Sequence, residues 1–409
     1  INNPGNEEIK YYYPTSDLVT GPDIIFFWVA RMIMAGYEYE GQMPFKNVYF
    51  TGIVRDKLGR KMSKSLGNSP DPLELIDKYG ADGVRMGMML SAPAGNDILF
   101  DDALCEQGRN FCNKIWNAFR LIKGWTNAEG SIPVPEDAHL AVQWFEQRLD
   151  AASVEMADLF SKYRLSEALM LVYKLFWDEF SSWLLEIVKP AYGQPVNGFI
   201  YDMVLSSFER LLEMLHPFMP FITEEIWQAI PHEGRFLMLA DWPKYDESLN
   251  FGAEAAHMES VMNAIRSIRN RRAEMNVPPS KKSTLYVVSD KGEIFRQGEG
   301  FICRLAYADK VIICENDPEG HENMVCVVTN DAKLYIPLEE LIDFEKELAR
   351  IEKEKANCLK QIAMFEGKLS NEAFVSRAPE KVVAEQREKL EKNRALLAQL
   401  EESEKRLRR

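Results

Sequence analysis

The spacing of apolar and polar positions divides the chain into four regions. The first, residues 1–103, mixes strand and helix patterns. Residues 10–13 and 47–51 are rich in aromatic and β-branched side chains, which predicts short strands. Residues 23–35 are largely apolar and follow a Gly-Pro turn, which predicts a buried helix. Alternating patterns of this kind indicate an α/β domain.

Turn and capping residues predict two further helices in the same region. Asp71 precedes Pro72 and Glu74, so we expect Asp71 to cap a helix that ends at Gly80. Asp82 is then placed to cap the next helix.

Residues 104–255 follow a helical pattern almost throughout. Apolar positions recur three and four residues apart over residues 111–122 and again over residues 165–176. Residues 216–220 interrupt the pattern with two prolines, and Thr223 is expected to cap the helix that follows. The region is therefore predicted to be a helix bundle.

The third region, residues 256–338, begins with a basic helix. After a pair of prolines the pattern changes, and residues 284–288 and 324–328 have the composition of strands. A small α/β module is predicted.

The fourth region, residues 339–409, has the spacing of a coiled coil. Apolar positions alternate four and three residues apart over residues 344–369, with one lysine in the series. A second series contains Val383, Leu390, Leu397 and Leu400. Joined by a loop near residues 370–372, two such helices predict an antiparallel coiled-coil hairpin with arms of about 45 Å. The predicted fold class is thus a multidomain α protein with α/β parts.

Charge is distributed unevenly along the chain. The sequence has 49 Lys and Arg against 63 Asp and Glu, a formal net charge of −14. Residues 341–409 hold 16 basic and 14 acidic side chains, so the other 340 residues carry a net charge of −16. An acidic protein still binds nucleic acid where its positive charge is clustered, although a solvated helix face is the alternative interpretation.

Cysteine content and apolar runs exclude several classes of protein. The six cysteines contain no C-x-x-C pair, which disfavours a zinc ribbon and indicates reduced thiols. No apolar run reaches the roughly 20 residues that cross a bilayer, so no membrane segment is expected. No secretory signal is recognisable, and the first residue is not methionine, so we expect a piece of a longer, cytoplasmic protein.

One loop carries candidate chemistry. Residues 59–68 contain two lysines three positions apart, two serines and a Gly-Asn exit. Ammonium groups on such a loop suit a polyphosphate, because they stabilise the negative charge that builds on departing pyrophosphate when the α-phosphate of ATP is attacked. A solvated basic surface loop is the alternative, since short motifs often arise by chance.

Residues 61–65 read Lys-Met-Ser-Lys-Ser, the KMSKS signature of class I aminoacyl-tRNA synthetases. Residues 14–32, 52–82 and 368–380 resemble corresponding stretches of the valyl-tRNA synthetase family, in family order. The chain is thereby identified as similar to the C-terminal part of that family over essentially its whole length.

The resemblance implies a role for each of the four regions. Residues 1–103 would be the second half of the Rossmann-like catalytic domain, and residues 104–255 the helical anticodon-binding domain. Residues 256–338 would be a small α/β junction module, and residues 339–409 a coiled-coil tRNA-binding arm.

The resemblance also implies roles for the loop residues. Lys61 and Lys64 would be catalytic, contacting the ATP phosphates and the leaving pyrophosphate. Met62 would lie near the adenine through its main chain. Ser63 and Ser65 would bind ATP as part of the same loop and hold its shape.

Three further residues match the family's substrate site. Gly21 and Asp23 match the position that holds the adenylate ribose, and a helix N-cap is the alternative role for Asp23. Trp28 matches a residue that lines the amino-acid pocket, and a buried core tryptophan is the alternative.

Three arginines are candidates for tRNA contact. Arg266, Arg269 and Arg272 recur at i, i+3 and i+6, so they share one face of the predicted basic helix. Contact with tRNA phosphates is the interpretation we favour.

The implied function is ATP-dependent ligation of valine to tRNA(Val) through valyl-adenylate, by a longer enzyme. ATP with substrate-associated Mg²⁺, valine and tRNA(Val) are the expected ligands, and a monomer without zinc is expected. The family's His-Ile-Gly-His signature and editing domain have no counterpart in the 409 residues, so we expect this chain alone to be inactive.

Alternative functions remain at this point. One is a sister enzyme for isoleucine, leucine or methionine, although the isoleucine and methionine enzymes often carry cysteine-bound zinc, and the heptad hairpin favours valine. Another is a non-catalytic tRNA-binding or coiled-coil module. A different nucleotidyltransferase is disfavoured, because it does not explain the helix bundle and the coiled-coil arm.

Overall fold

The computed structural model describes residues 5–92, 96–128, 133–246, 250–341, 344–371 and 380–407. It divides into two compact units, Ile1–Glu259 and Ser260–Arg409.

The first unit begins with a short helix and a pair of parallel strands. Helix α1 (Glu7–Tyr12) precedes strand β1 (Thr15–Thr20), which pairs in parallel with β2 (Phe45–Phe50). The connection between the strands is helical: a 3₁₀ turn, a π-helical segment and α2 (Ala30–Glu40). Strand, helix and parallel strand form a βαβ unit, as the mixed pattern of this region predicts.

Two predictions for this region are wrong. Residues 10–13 end a helix and do not form a strand, because the Asn6 side chain accepts hydrogen bonds from the amides of Glu8 and Ile9 and caps the helix. Residues 23–35 are helical but not buried: the side chain of Phe26 is 77% exposed. Apolar side chains usually pack against other parts of the protein. Within the described part of the first unit, nothing covers most of the apolar side chains of this helical segment.

The candidate loop lies between the two strands of a second small sheet and is followed by two helices. Strand β3 (Val54–Arg55) pairs in parallel with β4 (Ile98–Leu99), which comes after the helices α3 (Pro72–Tyr79) and α4 (Ala81–Leu90). The predicted cap at Asp71 is confirmed, since its carboxylate accepts the amide of Leu73 at 2.8 Å.

The remainder of the first unit is a helix bundle, as predicted. Its helices are α5 (Asp102–Lys123), α6 (Glu136–Ser161), α7 (Leu165–Lys174), α8 (Leu185–Val188), α9 (Gly198–Leu215), α10 (Pro220–Trp227) and the first residues of α11 (Gly252–Glu274). A π-helical segment, Leu175–Leu184, joins α7 to α8, and the two-residue strands β5 (Asn127–Ala128) and β6 (Val196–Asn197) pair in parallel. Predicted core positions such as Phe111, Ile115, Leu169 and Val172 are fully buried.

The helix caps differ from those predicted. Thr223 lies inside α10, where its hydroxyl donates to the carbonyl of Met219 at 2.7 Å. The N-terminus of α10 is capped instead by Asp82, whose carboxylate accepts the amides of Phe221 at 3.3 Å and Ile222 at 2.7 Å. Asp82 therefore caps a helix more than a hundred residues away and not its own helix α4, a pairing that local sequence does not show.

The segment after the candidate loop is joined to the bundle by main-chain contact. Helices α4 and α5 cross so closely that a Cβ atom on Gly108 would overlap the carbonyl group of Gly83. Beside this crossing, the Arg85 guanidinium donates to the carbonyls of Pro217 at 3.1 Å and Phe218 at 3.0 Å. The loop-bearing segment and the bundle are thus one packed body.

The second unit contains the predicted small α/β module. Its elements are β7 (Ser283–Val288), α12 (Gly292–Gln297), α13 (Glu299–Leu305), β8 (Ala308–Cys314), β9 (Met324–Val328), β10 (Lys333–Pro337) and α14 (Leu338–Leu341). The four strands form one sheet in the order β8-β7-β10-β9, in which β7 and β8 are parallel and β10 is antiparallel to both neighbours. The strands predicted at residues 284–288 and 324–328 are confirmed.

Two long helices end the chain. They are α15 (Phe344–Leu369) and α16 (Glu380–Leu407), and they pack through buried clusters that include Ile351 with Leu400 and Phe365 with Leu390. The part of the predicted loop at residue 372 lies outside the described residues. In the part of the chain that the structure describes, no helix is long and apolar enough to cross a membrane.

Candidate functional site

The Lys-Met-Ser-Lys-Ser segment forms a folded turn between β3 and α3. Ser63 begins a 3₁₀ turn, Lys64–Leu66, and its hydroxyl oxygen accepts the amide of Leu66 at 3.2 Å. The hydroxyls of Ser63 and Ser65 lie 3.1 Å apart. Gly67 closes the turn with φ of 61°, in the left-handed region that favours glycine.

The two lysines of the segment present their charges to solvent. Lys61 forms an isolated antiparallel bridge to Arg55 through the main chain, and the side chains of Lys61 and Lys64 are both exposed. Among the residues that the structure describes, neither ammonium group has an ion-pair partner. Both are therefore available to an anionic ligand such as a polyphosphate.

Met62 ties this turn to the protein interior. Its side chain is half-buried and packs on a cluster formed by Tyr79, Phe100 and Cys105. The side chain points inward, so the Met62 main chain is the part that remains for a ligand.

Asp56 and Asn68 bracket the turn, and neither was predicted from the sequence to be a site residue. The Asn68 amide nitrogen donates to Asp56 at 2.9 Å, and the Asn68 amide oxygen accepts the amide of Ser63 at 2.9 Å. The hydrogen bond from Asn68, helped by Arg60, lowers the pKa of Asp56 to about 2. An aspartate followed by a Lys-Leu-Gly turn is a local signal that could have identified Asp56.

Gly21 and Asp23 lie together at the start of the helical connection. Asp23 is exposed within the 3₁₀ turn Pro22–Ile24, and Gly21 occupies the N-cap position, so the N-cap alternative for Asp23 is wrong. A Cβ atom on Gly21 would lie 2.8 Å from the Asp23 carboxylate and 3.2 Å from Ile53, which precedes β3. This turn therefore packs against the segment that leads into the Lys-Met-Ser-Lys-Ser loop.

Trp28 is not a core residue. It lies in the π-helical segment Ile25–Val29 with 57% of its surface exposed. The buried-core alternative for Trp28 is wrong, and its ring is open to contact by a ligand.

Of the three arginines proposed for tRNA, Arg272 is buried in the second unit. Its side chain is 2% exposed and donates to the hydroxyl of Ser283 at 3.2 Å and to the carbonyls of Pro278 and Lys281. Burial also lowers the pKa of Arg272. A phosphate contact by Arg272 is therefore contradicted, because its guanidinium holds the chain turn that follows α11.

The other two arginines differ in exposure. Arg269 is half-buried and donates to the carbonyl of Leu305 at 2.6 Å, a structural contact that its helical spacing does not reveal. Arg266 is exposed and donates to Asn263 at 2.9 Å. Shared helical spacing thus placed three arginines on one face, but packing of the sheet module covers part of that face.

No cluster of three or more His, Cys, Asp or Glu side chains that could hold a metal ion occurs among the described residues. All six cysteines are free thiols.

Comparison with known proteins gives three family matches. Residues 1–101 match the tRNA synthetases class I (I, L, M and V), residues 142–288 the anticodon-binding domain of tRNA ligase, and residues 343–408 the valyl tRNA synthetase tRNA binding arm.

Curated relatives match nearly the whole chain. The valine–tRNA ligase of Bacteroides fragilis is 61% identical over 406 residues, which are 98% of this chain and 45% of the relative. That of Bacteroides thetaiotaomicron is 55% identical over 412 residues, with the same coverage of 98% and 45%. The chain spans about half the length of the curated relatives it matches.

A solved structure, the ternary complex of Agrobacterium radiobacter K84 LeuRS with tRNA and LeuAMS, is 20% identical with a TM-score of 0.45, covering 58% of this chain and 29% of that one. This likeness is too slight to add to the sequence matches. By its match to curated relatives over 98% of its length, the chain belongs to the valine–tRNA ligase family of class I tRNA synthetases.

Proposed function

We propose that this chain is the part of a valine–tRNA ligase that carries the KMSKS loop and the tRNA-binding regions. The whole enzyme would join valine to tRNA(Val) through valyl-adenylate, with ATP and its associated Mg²⁺ as substrate, as a cytoplasmic monomer. The observation that carries the proposal is the pair of exposed ammonium groups of Lys61 and Lys64 on a folded turn, in a chain 61% identical to a valine–tRNA ligase.

The proposed chemistry assigns charge stabilisation to the two lysines. When the valine carboxylate attacks the α-phosphate of ATP, the bond between the α- and β-phosphates breaks and pyrophosphate leaves with added negative charge. Lys61 and Lys64 would stabilise that charge in the transition state. The hydroxyls of Ser63 and Ser65, 3.1 Å apart, would keep the turn folded around the phosphates.

The remaining site residues would bind the other parts of the adenylate. The Met62 main chain would face the adenine, since its side chain is occupied in the core cluster. Asp23, exposed beside Gly21, would accept hydrogen bonds from the two ribose hydroxyls. Trp28 would contribute its exposed ring to the valine pocket.

Each of the four regions of the chain has a proposed role, and the tRNA contacts lie outside the catalytic domain. Residues 1–103 would form the second half of the catalytic domain, residues 104–255 the anticodon-binding domain and residues 256–338 the junction module. Residues 339–409 would form an antiparallel coiled-coil arm, which the cross-helix ion pair of Arg394 with Glu366 at 2.7 Å supports. Arg266 remains a candidate for phosphate contact because it is exposed.

The test is Lys64→Ala in an enzyme of the relatives' full length. Valine-dependent ATP–pyrophosphate exchange is expected to fall by about 10²- to 10³-fold, while the affinity for tRNA is nearly unchanged. Lys57→Ala is the matched control, because this nearby lysine pairs with Asp101 at 2.9 Å outside the KMSKS turn. Equal losses of exchange and of tRNA affinity would contradict the role of Lys64.

The same assay tests whether part of the active site lies outside this chain. This chain alone is expected to give no valine-dependent exchange, because the family's first signature is not among its residues. Exchange by the isolated chain would refute that part of the proposal.

A further inference from the structure

A single side-chain amide holds both sides of the KMSKS turn. The Asn68 amide oxygen accepts the Ser63 amide at 2.9 Å, and the Asn68 amide nitrogen donates to the carbonyl of Lys61 at 3.3 Å. These two main-chain groups flank Met62. Asn68 therefore fixes the backbone at Lys61 and at the residue that begins the turn bearing Lys64.

Asp56 in turn holds Asn68. Its carboxylate accepts the Asn68 amide nitrogen at 2.9 Å, together with the main-chain amide of Arg60 at 2.9 Å and the Arg60 side chain at 2.7 Å. The Asp56 side chain is 12% exposed. Asp56 stays ionised at neutral pH, since its pKa is lowered to about 2, and hydrogen bonds to a charged acceptor are the stronger kind.

One side of the turn borders open space. A cavity of about 620 Å³ lies beside it, lined by residues that include Asp56, Met62 and Asn68. On this side the hydrogen bonds of Asn68 and Asp56 hold the turn, in addition to the packing of Met62 on its core cluster.

We propose that Asp56 and Asn68 form a latch that holds the main chain of the KMSKS turn in one shape and so orients Lys61 and Lys64 relative to each other, which makes both latch residues positioning residues for adenylate formation. The proposal rests on the proposed function. Groups that are already ordered when charge develops on the departing pyrophosphate stabilise the transition state without first having to be ordered, so the latch contributes to the rate of the chemical step. It contributes little to ground-state ATP binding.

The first experiment measures the latch in the chain itself, by amide hydrogen exchange. Asn68→Ala is expected to speed exchange over residues 58–67 by about tenfold or more, because the Ser63 amide is left without its acceptor and the local opening becomes easier. The matched control is Asn47→Ala, which removes an asparagine–aspartate hydrogen bond of 3.0 Å to Asp17, outside the loop. Unchanged exchange over residues 58–67 in Asn68→Ala would overturn the proposal.

The second experiment measures catalysis in an enzyme of the relatives' full length. Asn68→Ala is expected to lower kcat for valine-dependent pyrophosphate exchange by about 10- to 100-fold while the KM for ATP changes less than about threefold. Asn47→Ala is expected to change neither. A rise in KM with kcat intact would show that the pair merely supports ATP binding and would overturn the positioning role.

A charge swap separates positioning from simple loss of structure. Asn68→Asp sets two carboxylates against each other and is expected to be more damaging than Asn68→Ala. Adding Asp56→Asn restores an amide donor opposite a carboxylate, so the double variant is expected to recover part of kcat; no recovery would count against the latch. If the unaltered enzyme shows no valine-dependent exchange, the proposed function fails, while the hydrogen-exchange result still decides whether the latch exists.

Discussion

At the scale of single residues, the helix bundle buries a cluster of two carboxylates and one guanidinium that the sequence pattern does not predict. Glu146 and Asp150 are both buried on α6 and share the guanidinium of Arg210 on α9, with Glu146 at 3.0 Å. The hydroxyl of Ser207 also donates to Glu146 at 2.5 Å. Burial raises the pKa of Glu146 despite these partners. Removing Arg210 would leave two buried carboxylates without a cation, the kind of change that typically costs about 3–5 kcal/mol.

Glu213, one turn further along α9, gives a prediction for pH dependence. Burial, with help from Glu209 and Asp241, raises the pKa of Glu213 to about 7 from an ordinary value of 4.5. The unfolded chain loses this proton near pH 4.5 and the folded chain only near pH 7. The free energy of unfolding therefore falls as the pH rises through this interval. Glu213→Gln is expected to raise stability by about 1–2 kcal/mol at pH 8, after discounting for solvent screening, and to have little effect below pH 4.5.

Denaturant unfolding at several pH values measures this effect. Glu225→Gln, which alters an exposed glutamate on α10, is the control and should leave the pH profile of stability as it is. A stability gain from Glu213→Gln that is the same at pH 4 and pH 8 would show that altered packing or polarity, and not titration, is responsible.

At the scale of elements, the crossing of α4 and α5 is a contact that leaves no room for side chains. The helices meet main chain to main chain at Gly83 and Gly108, and at Gly87 a Cβ atom would lie 2.7 Å from the amide nitrogen of Cys105. Backbone atoms cannot change rotamer to make room. A methyl group at this crossing must therefore push the two helices apart.

Gly108→Ala is accordingly expected to destabilise the protein by about 1–3 kcal/mol, the usual cost of overpacking. Gly367→Ala is the matched helical control, because a Cβ atom there would meet nothing within 4 Å. That control is expected to be neutral or stabilising by up to about 1 kcal/mol. Thermal unfolding monitored by circular dichroism compares the two, and equal effects would contradict a steric origin.

Helices and strands could be predicted from the sequence where the spacing or composition of neighbouring residues determines them. The helical spacing around Phe111 and Leu169 predicted buried faces, and the strand at residues 324–328 has the composition of a strand in the sequence. The role of Asp82 could not be predicted, because its partner Ile222 lies 140 residues away in the sequence. The burial of Arg272 could not be predicted either, because it depends on how the chain turns back after α11 to bring Ser283 to the guanidinium.

In the candidate site, too, some features can be predicted from adjacent residues and others depend on the folded structure. The lysines of the KMSKS turn are candidates that the sequence alone provides, because their motif is contiguous. The hydrogen bonds of Asn68 with Asp56 and Ser63 could not be predicted, since they depend on how the loop folds back on itself.

At the scale of the whole molecule, charge is partitioned between an acidic body and a nearly neutral C-terminal region. Residues 341–409 have a net charge of +2 in a chain whose total is −14. A polyanion such as tRNA is repelled less by this region than by the rest, so we expect phosphate contacts to concentrate there.

Deleting residues 344–409 from an enzyme of the relatives' full length tests this expectation. The cut keeps α14, whose Leu341 is buried. Affinity for tRNA is expected to fall, and the dependence of log K on log salt to flatten by roughly 0.7–0.9 for each phosphate that the arm had neutralised. Valine-dependent pyrophosphate exchange serves as the control for folding, because the proposed adenylation step has only valine and ATP as reactants. An unchanged salt slope would count against the arm as a tRNA-binding element.

The glycine crossing of α4 and α5 also limits how this protein can evolve. Interfaces between side chains can change during evolution by pairs of substitutions, because a larger side chain at one position is compensated by a smaller one at its neighbour. Gly83 and Gly108 have no side chains, so neither can be replaced by a smaller residue to compensate for a larger one opposite. Descendants of this sequence can therefore keep both positions as they are, or they must re-dock the two helices in a single step.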